Sequence, residues 1–406
     1  MTADMEFVSG GVTAPAGFVA AGVCADIRGK GDGKKDVALL ASRVPCAAAG
    51  VYTTNRVKAA PVLLTQERTA SGRLQAVVAN SGNANACTGE RGLKDAAEMA
   101  RLAAEALGIA PELVGVASTG VIGVPLPMDR VAAGIAAAAA ALSPEGGGDA
   151  AEAIMTTDTF PKQVAVRLDV GGAAVTIGAM AKGSGMIHPN MATMLGFVTT
   201  DAAVDAAALQ AALRAATDRS FNMITVDGDT STNDMVVVLA NGLAGNPPIT
   251  PDSAHYPAFA EALTAVLIHL AKEIARDGEG ATKLIEVRVR GARSLEEARK
   301  AARAVCGSSL VKAAVFGADA NWGRVLAALG YSGAQFDPDR VDLWLGDVQL
   351  MRAGEPLAFD EEAAARLLRE KEVVFTADLH AGEAEATAWG CDLTYDYVRI
   401  NGSYRT

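Results

Sequence analysis

The residues with the clearest chemical promise in this 406-residue chain lie in a glycine-rich run that ends in a threonine. It reads Lys182-Gly183-Ser184-Gly185-Met186-Ile187-His188-Pro189-Asn190-Met191-Ala192-Thr193, and an apolar stretch over 194–200 that reads as a strand follows it. A threonine hydroxyl at the first position of a strand can serve as a nucleophile, but a free threonine is weak and needs a base beside it. A threonine that carries its own N-terminal amine brings that base with it, because an α-amino group titrates near 7.7–8.0. Thr193 is internal, so this chemistry requires the Ala192–Thr193 bond to break. The same hydroxyl could attack the Ala192 carbonyl, move the acyl group from nitrogen to oxygen, and leave an ester for water to cleave. Spacing alone leaves the alternative open, and indeed favours it: a strand-start threonine with an ordinary hydrogen bond.

Other chemistries are poorly supplied. There is no Gly-x-x-x-x-Gly-Lys-Ser/Thr phosphate loop, no Gly-x-Gly-x-x-Gly turn after a first strand, no His-Glu-x-x-His and no Gly-x-Ser-x-Gly elbow. His188, His255, His269 and His380 are far apart, which argues against a Ser-His-Asp triad or a histidine metal cage. The five cysteines, Cys24, Cys46, Cys87, Cys306 and Cys391, are odd in number and never spaced Cys-x-x-Cys, so each is read as a small core residue and no metal is expected. Asp227, Asp229 and Asp234 lack the order of a calcium loop and read as a rigid turn whose Asx and Thr side chains satisfy the backbone. The segment from Gly317 to Arg324 reads as a structural or site-lining turn, and Trp322, Trp344 and Trp389 as core or interface residues.

The elements that must position these groups follow from hydrophobic periodicity. Helices are predicted over 93–107, 129–142, 206–216, 258–276, 295–306 and 361–370, and strands over 74–79, 114–118, 163–170, 174–181, 195–200, 235–240, 284–289 and 341–350. This alternation implies mixed α/β layers. The segments 143–148 and 246–252, rich in glycine or proline, read as surface connections. After Gly280 the pattern turns to short strands with few helices, so a smaller C-terminal unit is expected to start at Leu284. Lys and Arg number 36 against 47 Asp and Glu, a net charge of −11, which speaks against a nucleic-acid partner. The first twelve residues lack the basic and apolar regions of a signal peptide, and no apolar stretch reaches the roughly 20 residues of a membrane span. A cytoplasmic protein is expected.

Several turns then combine into a resemblance. The loop His188-Pro189-Asn190-Met191-Ala192-Thr193-Met194-Leu195-Gly196 is similar to the self-cleavage and nucleophile motif of the ornithine acetyltransferases, the arginine-biosynthesis bifunctional proteins. Six further segments agree in order along nearly the whole chain: those running from Asn80 to Asn85, Ser118 to Gly123, Met155 to Phe160, Asp227 to Asp234, Asp277 to Gly280 and Gly317 to Arg324.

The resemblance implies a precursor that cuts itself into an α chain, Met1 to Ala192, and a β chain, Thr193 to Thr406. It implies a glutamate N-acetyltransferase that moves an acetyl group from N-acetylornithine to glutamate through acetyl-Thr193, with Thr119 and Gly120 stabilising the oxyanion. Thr156, Lys182, Thr193, Glu279, Asn401 and Thr406 are the implied substrate contacts. Lys182 suits a substrate carboxylate and Glu279 a side-chain cation. Taken alone, Lys182 and Glu279 would read as solvated charges and Thr156 as a helix cap. The implied fold is a four-layer αββα sandwich of the self-processing aminopeptidase type over residues 1–283, followed by a smaller α/β domain over 284–406 that contributes its C-terminal tail to the site. The implied assembly is a heterotetramer of two α and two β chains, with no bound cofactor and with acetyl-CoA open as a second acetyl donor. Two other readings use the same residues: a self-processing aminopeptidase or amidohydrolase, and an uncut protein that binds amino-acid carboxylates without catalysis.

Overall fold

Several strands of this chain are apolar without interruption, and a strand of that kind needs cover on both faces. Met235-Val236-Val237-Val238-Leu239-Ala240 and the run Leu195–Thr200 are buried at every position. The computed structural model, which describes residues 5–188 and 194–403, supplies that cover with helices on one side and a second layer of strands on the other.

The first part contains β1 (Met5–Val8), β2 (Phe18–Val23), β3 (Val37–Tyr52), α1 (Ala60–Thr69), β4 (Arg73–Asn80), α2 (Gly89–Leu107), β5 (Val114–Ser118), α3 (Met128–Ala140), α4 (Gly147–Ala153), β6 (Lys162–Val170), β7 (Ala173–Lys182), β8 (Leu195–Thr200), α5 (Ala206–Arg219), β9 (Met235–Ala240) and α6 (Tyr256–Arg276). Its strands join in the order β1-β6-β7-β8-β9-β3-β4-β5, with β2 also paired to β3. The 16-residue β3 belongs to both halves of this sheet. Its first residues pair with β2 and β4, the register shifts between Ala41 and Cys46, and residues 47–52 pair with β9.

Alternating side chains then fill three cores. Val37, Leu39, Val78 and Val116 face Met99 and Ala103 of α2 and Val131 and Ile135 of α3. The opposite faces carry Leu40, Val77 and Ala117, which meet Met180, Phe197, Val237 and Leu239 from the other half of the sheet. The outer face of that half, with Val166, Ile177, Val198 and Val238, packs on Leu213 of α5 and on Leu263, Leu267 and Leu270 of α6. The layers therefore run helix, sheet, sheet, helix, as the resemblance implies.

The second part holds β10 (Leu284–Ala292), α7 (Leu295–Gly307), α8 (Ser309–Phe316), α9 (Trp322–Tyr331), β11 (Asp342–Leu345), β12 (Val348–Arg352), β13 (Glu355–Pro356), α10 (Glu361–Arg369), β14 (Glu372–Asp378), β15 (Ala384–Cys391) and α11 (Tyr395–Ser403). Its strands form a separate sheet, ordered β13-β12-β11-β14-β10-β15, whose apolar face is continuous with the core under α6.

Four expectations need correction. The part after Gly280 carries five helices among the described residues, because short amphipathic runs such as Ser309–Phe316 are too brief for their period to register. The predicted strand over 341–350 is a hairpin, β11 and β12, that turns through Gly346 at φ 55°. The segment 143–148 is partly internal: Ser143 exchanges two backbone hydrogen bonds with Ala20, and Gly146 and Gly147 are buried where α4 begins. Cys24 and Cys87 are exposed, so only Cys46, Cys306 and Cys391 are core residues.

Candidate active site

A cavity of about 220 Å³ opens where β5 and β7 end and β8 and β9 begin. The turn after β5 is held from three directions. Ser118 Oγ donates to Asn80 Oδ1 at 2.6 Å, and Asn233 Nδ2 donates both to the Ser118 carbonyl at 2.8 Å and to the Ala84 carbonyl at 2.6 Å. Three of the quoted segments, far apart in sequence, thus lock one another. Thr119 and Gly120 follow immediately and line the cavity. The Thr119 N–H is spent on the Asn80 carbonyl, so this residue offers its hydroxyl, which accepts from Lys182 Nζ at 3.4 Å. Gly120 has φ 133°, and a Cβ there would sit 2.4 Å from the Gly82 carbonyl carbon, so no other residue fits the turn.

Lys182 ends β7 and is buried, with its ammonium held below the usual lysine range by loss of water. It rests on a charge cluster. Lys162 Nζ lies 2.7 Å from Asp158 Oδ1 and 2.6 Å from Asp277 Oδ2, with all three side chains almost fully buried. Asp158 also accepts the N–H of Gly183 at 2.7 Å and of Thr156 at 3.1 Å. Burial alone would raise the Asp158 carboxyl, but the charges of Lys162 and Lys182 and these hydrogen bonds outweigh it and bring the group down to about 2. Asp277 accepts from Thr159, its carbonyl accepts from Ser184 Oγ at 2.7 Å, and the Glu279 N–H returns to the Ser184 carbonyl at 3.1 Å. The cluster therefore ties the ends of β7 and α6 to the loop around Thr156, placing Thr156, Lys182 and Glu279 on one wall.

Glu279 is 7 % exposed and accepts from Asn401 Nδ2 at 2.7 Å, which brings α11 over the opening with Tyr397 beside it. Gly185 faces this carboxylate so closely that a Cβ would come within 2.4 Å of it. Asp227 accepts the N–H groups of Met186 at 2.6 Å and Ile187 at 2.8 Å, the backbone-satisfying role expected of that turn. Asp234 meets that expectation only in part: Ser231 is hydrogen-bonded to its carboxyl, but the residue is 3 % exposed and its Oδ2 has no hydrogen-bond partner among the described residues.

Of the residues singled out from the sequence, Thr119, Gly120, Thr156, Lys182, Glu279 and Asn401 line this one cavity. Ala192, Thr193 and Thr406 lie outside the described residues. Met194 and Leu195, which follow Thr193, line the cavity, as do Met186 and Ile187 on the upstream side. His188, the last described residue before the gap, accepts on Nε2 from Arg303 of α7 at 2.8 Å, and its Nδ1 lies 3.0 Å from Thr225 Oγ1. Burial and the Arg303 charge lower the imidazole to about 4 and keep it neutral.

Sequence reasoning missed Asp158, Lys162, Asp277, Asp234, Tyr397 and Arg303. Asp158, Asp234 and Asp277 stand inside quoted segments, and the position of each next to a turn residue was the available clue.

The chain is similar to known proteins over nearly its whole length. The arginine biosynthesis bifunctional protein ArgJ of Symbiobacterium thermophilum is 87% identical over 402 residues, covering 99% of this chain and 100% of that protein. The protein of the same name from Caldanaerobacter subterraneus is 56% identical over 406 residues, covering 99% and 100%. A crystal structure of arginine biosynthesis bifunctional protein argJ from Bacillus halodurans superposes with a TM-score of 0.50 at 53% identity, and 98% of that solved chain corresponds to 51% of this one. The model of the ArgJ family matches residues 19–406, and the chain belongs to that family.

Proposed function

We propose that this protein is an arginine-biosynthesis glutamate N-acetyltransferase that cuts itself between Ala192 and Thr193 and then transfers acetyl from N-acetylornithine to glutamate. The observation that carries this reading is the single cavity in which Thr119, Gly120, Lys182 and Glu279 converge beside Met194, the residue that follows Thr193. The names of the two relatives above and the half-length of the solved chain, as a cut near the middle would produce, support it.

In this reading the Thr193 amine takes the proton of its own hydroxyl, and Oγ attacks the acetyl carbonyl. The developing oxyanion is received at Thr119 and Gly120, groups already fixed by the Asn80, Ser118 and Asn233 bonds, so no reorganisation is needed during the reaction. Lys182 takes the substrate α-carboxylate and Glu279 the ornithine side-chain ammonium, with Thr156, Asn401 and Thr406 completing the contacts. Ornithine leaves, glutamate enters, and its amine attacks acetyl-Thr193. No bound cofactor takes part, and acetyl-CoA serves as an alternative donor substrate. The working form is cytoplasmic, a heterotetramer of two α and two β chains, and residues 284–406 act as a smaller domain that brings the tail to residues 1–283.

Purified protein is expected to run as two bands on a denaturing gel, and Thr193→Ala as one. Ornithine release from N-acetylornithine should depend on added glutamate; release without an acceptor would instead identify an amidohydrolase. Acetyl-CoA with glutamate tests the second donor in the same assay.

A further inference from the structure

Asp234 is the residue immediately ahead of β9 and is one of the residues lining the cavity with Thr119, Gly120 and Lys182. β8 and β9 run parallel with Leu195 opposite Met235, and the Met235 N–H donates to the Met194 carbonyl at 3.0 Å. Asp234 therefore enters the cavity beside Met194. Its Oδ2, fully withdrawn from solvent, has no hydrogen-bond partner among the described residues. The other carboxylates of the cavity differ: Asp227 is occupied by two backbone N–H groups, Glu279 by Asn401, and Asp229 is exposed at the tip of its turn.

A buried carboxylate with an empty oxygen is stable only as the protonated acid or with a cationic guest. Burial holds the Asp234 carboxyl well above the usual carboxylate range, against the opposing pull of the Ser231 hydrogen bonds and the Lys182 charge. The charged or titratable groups lining the same cavity are Lys182 from β7, Glu279 after α6, Asp227 and Asp229 from the preceding turn, and Tyr397 from α11. Three of these carry the same sign as an ionised Asp234, and among the described residues of the lining Lys182 alone opposes it.

We infer that Asp234 faces the reacting α-nitrogen of each substrate and carries its proton, giving it to departing ornithine and taking it from the α-ammonium of arriving glutamate. The assignment rests on the acetyltransferase reading. When Thr193 Oγ bonds to the acetyl carbon and the amide C–N bond breaks, the hydroxyl proton passes through the Thr193 amine to the leaving nitrogen and makes a neutral amine. The Asp234 proton converts that amine to the ammonium that departs, leaving a carboxylate. Glutamate enters as an ammonium, returns one proton to Asp234, and attacks as the free amine. The new C–N bond forms, the ester C–O bond breaks, and the Thr193 oxygen recovers the second proton that nitrogen loses. One proton has moved from the incoming to the outgoing amine.

Asp234→Asn preserves shape and hydrogen bonding but cannot carry a proton. The acetyl-enzyme made from N-acetylornithine is offered either glutamate, an ammonium at neutral pH, or hydroxylamine, a neutral amine at the same pH. The variant should lose transfer to glutamate about a hundredfold more than transfer to hydroxylamine. Its remaining glutamate reaction should climb with pH in step with the free-amine fraction. Equal loss with both acceptors, or no loss with glutamate, overturns the assignment. If the variant fails to fold or to cut itself, the wild type decides alone. Its ratio of glutamate to hydroxylamine transfer should stay flat through the neutral range, whereas a rise of about tenfold per pH unit overturns the assignment. Absence of acetyl transfer from wild-type protein to either acceptor would remove the acetyltransferase reading itself, and this assignment with it.

Discussion

Lys162 illustrates how one buried side chain can decide the geometry of a site it does not enter. Its ammonium lies between Asp158 and Asp277, and the three charges tie three separate segments together. Removing the cation leaves buried Asp277 without its ion partner and Asp158 with only the charge of Lys182, so Lys162→Met should cost about 3–5 kcal/mol in urea denaturation. Adding Asp158→Asn to that variant should restore part of the loss, because one stranded charge disappears with it. Thr119 is different in kind. Its backbone is already committed, and only the hydroxyl faces the cavity, so Thr119→Val should leave folding intact and lower kcat on the order of a hundredfold. His188 gives a pH dependence whose sign follows from its environment. Its pKa falls from 6.5 to about 4 on folding, so between these values the unfolded chain binds the proton and the folded one does not. Its contribution to stability is complete above pH 6.5 and is lost as the pH falls toward about 4. Denaturation midpoints measured across that window should drop, and His188→Asn should flatten this part of the drop.

At the scale of elements, long apolar strands and amphipathic helices were legible, and short ones were not. The strands at 114–118, 195–200 and 235–240 agree residue for residue with the structure, because runs of buried β-branched residues admit few other readings. The helices α1, α4, α8, α9 and α11 went unseen. Of these, α11 has no buried residue and packs too little for any apolar period to appear. The turns carrying the site were legible as motifs, since glycine, asparagine and threonine clusters mark backbone that must bend. Their mutual locking was not. Lys162 and Asp158 stand four residues apart, the spacing of an exposed helical ion pair, and nothing local announces that Asp277 closes the cluster from 115 residues away. The exposure of α11 also makes it a separable device. It is held over the cavity by Asn401 on Glu279, by a hydrogen bond of Tyr397 with Asp227 and by the edge-on contact of Tyr395 with Phe316, with Thr394 Oγ1 donating to the Gly280 carbonyl just before it. Removing residues 395–406 should therefore change thermal stability by no more than a few degrees while raising KM for N-acetylornithine, a split that steady-state kinetics and a melting curve together reveal.

The order of strands across the whole molecule constrains what cleavage can do. A cut between Ala192 and Thr193 assigns β1 to β7 to one chain and β8 onward to the other. In the sheet, however, β8 and β9 lie between β7 and β3. Each new chain is thus hydrogen-bonded to the other along two full strand edges, β7 with β8 and β3 with β9, and the inter-sheet core takes Leu40 and Val77 from one and Phe197 and Val237 from the other. Neither chain retains the nine-stranded sheet alone. The two should co-elute under native conditions and separate only when the fold is lost, so unfolding becomes a dissociation. Mass action then favours the unfolded chains at low concentration, by about 1.4 kcal/mol for each tenfold dilution per dissociating chain. The uncut Thr193→Ala precursor unfolds without releasing that extra chain. Calorimetry over a dilution series should accordingly show the Tm of cleaved protein falling more steeply than that of the precursor. Parallel slopes would mean that the two halves do not part on unfolding, contrary to the strand order.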